Sequence, residues 1–201
     1  MQRAGGGGAA TTIPTDATKL DQCKRLAKKT VERFGRIDSL VISMGWNKLG
    51  HFLDLEPTDW ERIIATNYWN TLTLLKSILP IMIEQKKGNV VVMSSVEGRK
   101  PTPLEPVYGA LKAAQISLMH SLAQEHGKNG LRFNIVAPAA TPPSGPGDRG
   151  SQSNWNEFDP ETLDELCKEF IANTPLGSLG KSTDVANAVL YSLSRMLCPD
   201  T

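Results

Sequence analysis

Asn89-Val90-Val91-Val92-Met93-Ser94-Ser95 is followed, thirteen residues after its last serine, by Tyr108 and the segment Tyr108-Gly109-Ala110-Leu111-Lys112. The first stretch is a short unbroken apolar run, the pattern of a strand buried on both faces of a parallel sheet. The second lies in a segment where Val107, Leu111, Ala114, Leu118 and Leu122 recur at helical spacing to about Glu125. That spacing predicts a helix with Tyr108 and Lys112 on one face, their Cβ atoms roughly 5 to 6 Å apart. The polar residues thus gather where a buried strand ends and an amphipathic helix begins.

The same alternation extends in both directions. Ala10 to Pro14 reads as a short strand, and Thr15 or Asp16 caps a helix running to about Phe34, where Gly35 ends it. Ile37 to Ser43 is a buried strand. Pro57 opens a long amphipathic helix with Ile63, Ile64, Leu72, Leu75, Ile78 and Leu79 on its apolar side, kinked by Pro80 and ended by Gly88. Leu131 to Ala137 is a further strand, and helices are expected from Pro160 to about Ala172 and from about Thr183 to Met196. The order βαβαβαβ predicts an α/β fold, a doubly wound parallel sheet with helices on both faces and a site at the carboxyl ends of its strands.

Composition narrows the function. At 201 residues the chain fits one domain, expected at 11–201, with the glycine- and alanine-rich residues 1–10 as a disordered leader. A formal charge of +1 with charges of both signs interspersed leaves no footprint for nucleic acid. Cys23, Cys167 and Cys198 are far apart and form no metal-binding or disulfide pattern, so no metal is expected. No apolar run approaches membrane-spanning length, and the first residues lack a signal peptide's apolar stretch. These features predict a cytoplasmic protein with no membrane partner.

The polar constellation carries a definite chemistry. A tyrosine acts as acid or base when its pKa nears the working pH, and moving it from about 10 to about 7 takes roughly 4 kcal/mol of differential stabilisation. The Lys112 ammonium beside it is the right kind of source. Ser95 at a strand's carboxyl end can hydrogen-bond a substrate oxygen and stabilise charge developing there. A YxxxK pair alone is also the pattern of a helix-surface pair; the serine on the preceding strand supplies the specificity.

On these residues the chain resembles the short-chain dehydrogenase/reductase family over about residues 11 to 195, as an N- and C-terminally truncated member. The family's serine and YxxxK motif fall on Ser95, Tyr108 and Lys112, and Asn67 in Ala65-Thr66-Asn67 matches the asparagine that completes its tetrad. The resemblance implies an oxidoreductase using NAD or NADP to interconvert a secondary alcohol and a ketone. Tyr108 would exchange the proton, Ser95 hold the carbonyl oxygen, Lys112 lower the tyrosine pKa and grip the nicotinamide ribose, and Asn67 support the relay. It implies cofactor contacts at Asp16, Gly45, Tyr108, Lys112, Pro138 and Thr141. It further implies a substrate lid at about 138–175, and a homodimer or homotetramer paired through the long helices at about 58 to 86 and 104 to 126.

Several residues admit two readings. Asp16 is an adenine contact or a helix cap, Thr141 a nicotinamide contact or a turn residue, and Asn67 a tetrad member or a satisfied helix residue. Trp46, Trp155 and Phe158 are pocket lining or packing, and Glu97 is expected at the solvent-exposed surface. The family's Asn-Asn-Ala-Gly is here Ile42-Ser43-Met44-Gly45, which keeps the glycine, and its Pro-Gly is Pro138-Ala139. Its first strand, TGxxxGxG loop, second strand and final strand have no counterpart, and Gly5 to Gly8 lies too close to the strand before Asp16 to supply one. A non-catalytic or partner-dependent relative, without its own dinucleotide-binding loop, is therefore the alternative expectation.

Overall fold

The structure, a computed structural model, describes residues 8–100, 102–143, 156 and 158–194. Three strands, β1 (Ser39–Ile42), β2 (Gly88–Met93) and β3 (Leu131–Val136), form a parallel sheet in the order β1-β2-β3. Leu40 pairs with Val90 and Ile42 with Val92, while Asn89 pairs with Arg132 and Val91 with Asn134. Because side chains alternate along a strand, these two sets point to opposite faces. Val90, Val91 and Val92 are all fully buried, which is why β2 reads as a continuous apolar run.

On the first face, helices α1 (Leu20–Phe34), α3 (Asn70–Glu84) and α4 (Pro106–His126) close the core. Cys23, Ala27, Leu75, Ile78, Met82 and Met119 pack there with Leu40, Ile42, Val90 and Val92. Helix α6 (Ser182–Leu193) lies on the opposite face. Arg132 donates there to the carbonyls of Ser192, Leu193 and Ser194 and so neutralises that helix's carboxyl end, while Asn89 donates to Leu193. Helix α5 (Pro160–Ala172) is capped by Asp159, whose carboxylate accepts from the Glu161 and Thr162 amides.

The structure departs from the expectations at four places. Ala10 to Pro14 is not a strand; among the described residues no strand lies beside it to complete a ladder. Helix α1 starts at Leu20, because Asp16 closes a turn ahead of it by accepting from the Thr18 amide and hydroxyl. The long helix runs on through Pro80 and is interrupted earlier, where α2 (Pro57–Ile64) passes into a π-helical turn over Ala65–Trp69 before α3. Finally, the buried residues of α4 are Gly109, Lys112, Gln115 and Met119. The apolar stripe through Leu118 and Leu122 lines instead an open groove against Leu72, Leu75, Leu79 and Ile83 of α3, with a volume of about 410 Å³.

Candidate active site

Ser95 follows the last residue of β2 by two positions and is 7% exposed. It is held against α4 by a close approach of two backbones. A Cβ on Gly98 would sit 2.7 Å from the Lys112 carbonyl carbon, and one on Gly109 would sit 3.1 Å from the Glu97 carbonyl oxygen. Ser94 adds a hydrogen bond from its hydroxyl to the Lys112 carbonyl at 2.9 Å. Only glycine at these contacts lets the turn after Ser95 lie on the first turns of α4. Ser95 is thereby brought near enough to Tyr108 to act on its pKa.

Lys112 is 2% exposed, and its Nζ donates to the Met93 carbonyl at 3.0 Å and stands 5.3 Å from the centre of the Tyr108 ring. Burial without a carboxylate partner lowers its pKa to about 8. Tyr108 moves the other way, to about 12, chiefly through burial and also through the charges of Glu105 and Glu97, against the opposing hydrogen bond from Ser95. The ammonium is turned to Met93, and two carboxylates oppose the phenolate.

Asn67 lies on the π-helical turn and is fully buried. Its Nδ2 donates to the Trp46 carbonyl at 2.5 Å and the Ile63 carbonyl at 2.9 Å, pinning the loop after β1, while Oδ1 has no partner. The point where a Cβ on Gly45 would stand is 2.9 Å from that Oδ1 and 3.4 Å from Lys112 Nζ. Gly45 thus keeps open the space where asparagine and lysine face each other. The backbone carbonyl of Asn67 accepts from Gln115 Nε2 at 2.6 Å. Gln115, absent from the sequence reading, sits three positions after Lys112 and ties the tetrad's two helices together; its i+3 spacing from Lys112 was the available signal.

A polar cavity of about 210 Å³ is lined by Ser43, Gly45, Trp46, Asn47, Met93, Ser94, Tyr108 and Lys112. It is smaller than the roughly 300 Å³ at which pockets for drug-sized ligands begin, so it accommodates one part of a dinucleotide. The residues fit a nicotinamide riboside end. Gly45 leaves room that any side chain would fill, Trp46 Nε1, Asn47 Oδ1 and Asn67 Oδ1 are unpaired, and Lys112 carries three N–H donors of which Met93 takes one. No glycine-rich strand–turn–helix that would cradle a pyrophosphate occurs among the described residues.

The remaining expected residues divide. Pro138 receives the Val96 amide and a long hydrogen bond from Ser95 on its carbonyl, beside the site. Thr141 donates its hydroxyl to the Ala139 carbonyl at 2.9 Å, as a turn residue does. Asp16 is exposed and closes its turn. Trp46 lines the cavity and also lies under Arg62, whose guanidinium carbon is 3.7 Å from its ring centre. Trp155 falls outside the described residues, as do residues 144–155 of the expected lid. Glu97 is a correction: it is half-buried and accepts the Ser95 hydroxyl rather than facing solvent.

The family profile described as short chain dehydrogenase matches residues 1–148. The chain is similar to 3-oxoacyl-acyl-carrier-protein reductase FabG of Thermotoga maritima, 30% identical over 179 residues that make up 89% of this chain and 68% of that protein. It is also similar to 2-(S)-hydroxypropyl-CoM dehydrogenase 3 of Xanthobacter autotrophicus, 29% identical over 94% of this chain and 71% of that protein. Among solved structures, ElxO with NADP bound superposes with a TM-score of 0.78 at 26% identity, covering 89% of this chain and 68% of that one.

Proposed function

Because this chain belongs to the short-chain dehydrogenase family, we propose that it uses NAD or NADP to interconvert a secondary alcohol and a ketone, with Tyr108 as general acid or base. The observation that carries this reading is the convergence of Tyr108, Lys112 and Ser94, the residue before Ser95, on one small polar cavity. Relatives named as a ketoacyl reductase and a hydroxypropyl dehydrogenase, and a neighbour solved with NADP, support it.

When bound, a nicotinamide supplies hydride to the ketone carbon or takes it from the alcohol carbon. The chain's own residues manage the proton and the charge. With its pKa at about 12, Tyr108 holds its proton at neutral pH, which suits it to donate to a ketone oxygen as that oxygen becomes an alkoxide. The Ser95 hydroxyl, once turned from Glu97, gives the same oxygen a second donor. Lys112, fixed to Met93, keeps N–H groups beside Gly45 where ribose hydroxyls would be held. In the alcohol-oxidising direction a phenolate is needed, and from about 12 to neutrality that costs roughly 7 kcal/mol. Alcohol oxidation should therefore speed up as pH rises.

The substrate is a small alcohol or carbonyl compound in the cytoplasm, and the assembly is a homodimer or homotetramer. The open groove between α3 and α4 supports self-association, since it leaves Leu118 and Leu122 only partly buried. Sedimentation of wild type against Leu122→Glu tests it. A partner-dependent, non-catalytic relative is the second reading, motivated by the exposed edge strand β1, where Val41 is 42% exposed, and by the lack of a pyrophosphate cradle among the described residues. Fluorescence titration with NADH and NADPH, on wild type and Tyr108→Phe, separates the two. Binding of either nucleotide with ketone-dependent oxidation that Tyr108→Phe abolishes supports the enzyme; binding of neither refutes it for this chain.

A further inference from the structure

We infer that Glu97, Glu105 and the side-chain carbonyl of Asn47 form a subsite for a protonated amine, so that the preferred ketone carries an ammonium group near its carbonyl. The inference rests on the oxidoreductase reading and names its substrate class.

Asn47 lines the cavity, and Glu105 and Glu97 adjoin it through Asn47 and Ser95. Glu97 stands two residues after Ser95 and accepts its hydroxyl. Glu105 immediately precedes α4, three residues before Tyr108, and accepts from Asn47 Nδ2 at 2.6 Å. Both carboxyl groups act on the tyrosine hydroxyl, raising its pKa. Asn47 is 5% exposed and lines the cavity, yet its Oδ1 has no partner. A buried acceptor left unpaired is costly, and a donor group on what enters the cavity would satisfy it.

The corner is made of acceptors. Lys112, the ammonium lining the cavity, gives one of its N–H groups to the Met93 carbonyl, and Lys48, on the same loop as Asn47, is paired with Asp59 at 2.8 Å. Glu105 keeps a raised pKa of about 7 because it is buried and lies near Glu97. An arriving cation relieves that repulsion. An anionic substrate would add to it, and a neutral one without a donor there would leave Asn47 Oδ1 unmet.

The subsite also acts on catalysis. Without a ligand, the Ser95 hydroxyl is spent on Glu97. An ammonium drawn to Glu97 replaces that donor and frees Ser95 for the ketone oxygen. A substrate lacking the ammonium must compete for the serine.

The test compares near-isosteric pairs on the full chain. By NMR titration without cofactor, 1-amino-2-propanol should bind about tenfold or more tightly than 2-butanol, as one charge-assisted hydrogen bond dictates. The preference should shrink below about threefold in Glu97→Gln and in Glu105→Gln, in line with the loss of that bond. With NADPH or NADH, aminoacetone should exceed butanone in kcat/KM by a similar factor. A wild-type preference below about threefold, including failure to bind either alcohol, overturns the subsite, as does a preference retained in both variants. If the amine binds selectively but no ketone is reduced, the subsite stands and the oxidoreductase reading falls.

Discussion

Replacing Lys112 with methionine should change how stability depends on pH, with a sign fixed by burial. Lys112 is 2% exposed, and desolvation lowers its pKa from 10.5 to about 8 in the folded chain. Below about pH 8 both folded and unfolded chains carry the charge, so the folded state bears the whole desolvation cost. Between about pH 8 and about pH 10.5 the unfolded chain holds a proton that the folded chain has released, and stability rises with pH. At about 1.4 kcal/mol per unit, the rise amounts to about 3 kcal/mol. Methionine keeps the apolar stem and titrates nowhere, so its stability curve lacks that rise. Near pH 7 it should be more stable than wild type by about 1 to 2 kcal/mol, the relief of desolvation less the lost hydrogen bond to Met93. Urea unfolding at a series of pH values between about 7 and 10 measures the difference. Tyr108, with a pKa of about 12, titrates mostly above this window and is common to both proteins. A difference between the two proteins that stays constant within about 0.5 kcal/mol across the range would refute the reasoning.

The other outcomes follow from single contacts. Glu105 has its pKa raised from 4.5 to about 7, so its contribution to stability is complete below about pH 4.5 and lost as pH rises through about 7. Glu105→Gln should flatten that fall by about 1 kcal/mol after discounting for partial exposure, seen as a smaller drop in unfolding free energy between about pH 5 and 8. Gly45→Ala places a Cβ 2.9 Å from an Asn67 oxygen whose amide is pinned on two carbonyls. It should cost about 1 to 3 kcal/mol, a fall of several degrees in Tm, and weaken nucleotide binding. Gln115→Met removes the shorter of two side-chain donors on the buried Asn67 carbonyl and leaves it the Thr71 hydroxyl at 3.3 Å. A loss of about 1 to 3 kcal/mol in chemical denaturation is expected, together with a shifted pH profile of kcat.

Much of the architecture is legible because it rests on local physics. The valines of β2 are apolar enough to be buried on both faces, Gly35 ends α1 in the left-handed conformation at φ 79°, and Pro57 and Pro160 open helices where a missing amide costs nothing. Period and punctuation suffice for such elements. Ala10 to Pro14 misled because a strand exists only through its neighbour. The π-helical turn was invisible because the extra residue per turn is set by what Asn67 must reach, not by helix propensity.

The order of Ser95, Tyr108, Lys112 and Asn67 was determined by the sequence itself, since strand ends and helix faces at fixed spacing put those residue types at one edge of a parallel sheet. That order suffices to recognise the family and its reaction type. Which face of α4 is buried, and what state the tyrosine is in, were decided only in three dimensions. Apolar periodicity pointed to Leu118 and Leu122, but hydrogen bonds to Met93, Asn67 and Thr71 draw Lys112 and Gln115 inward instead. Tyr108 is held protonated chiefly by burial, with the charges of Glu105 and Glu97 adding to it, and that burial depends on how tightly Gly98 and Gly109 let two backbones approach. Charge and burial act through distance, and distance between separate segments is what a linear sequence does not contain.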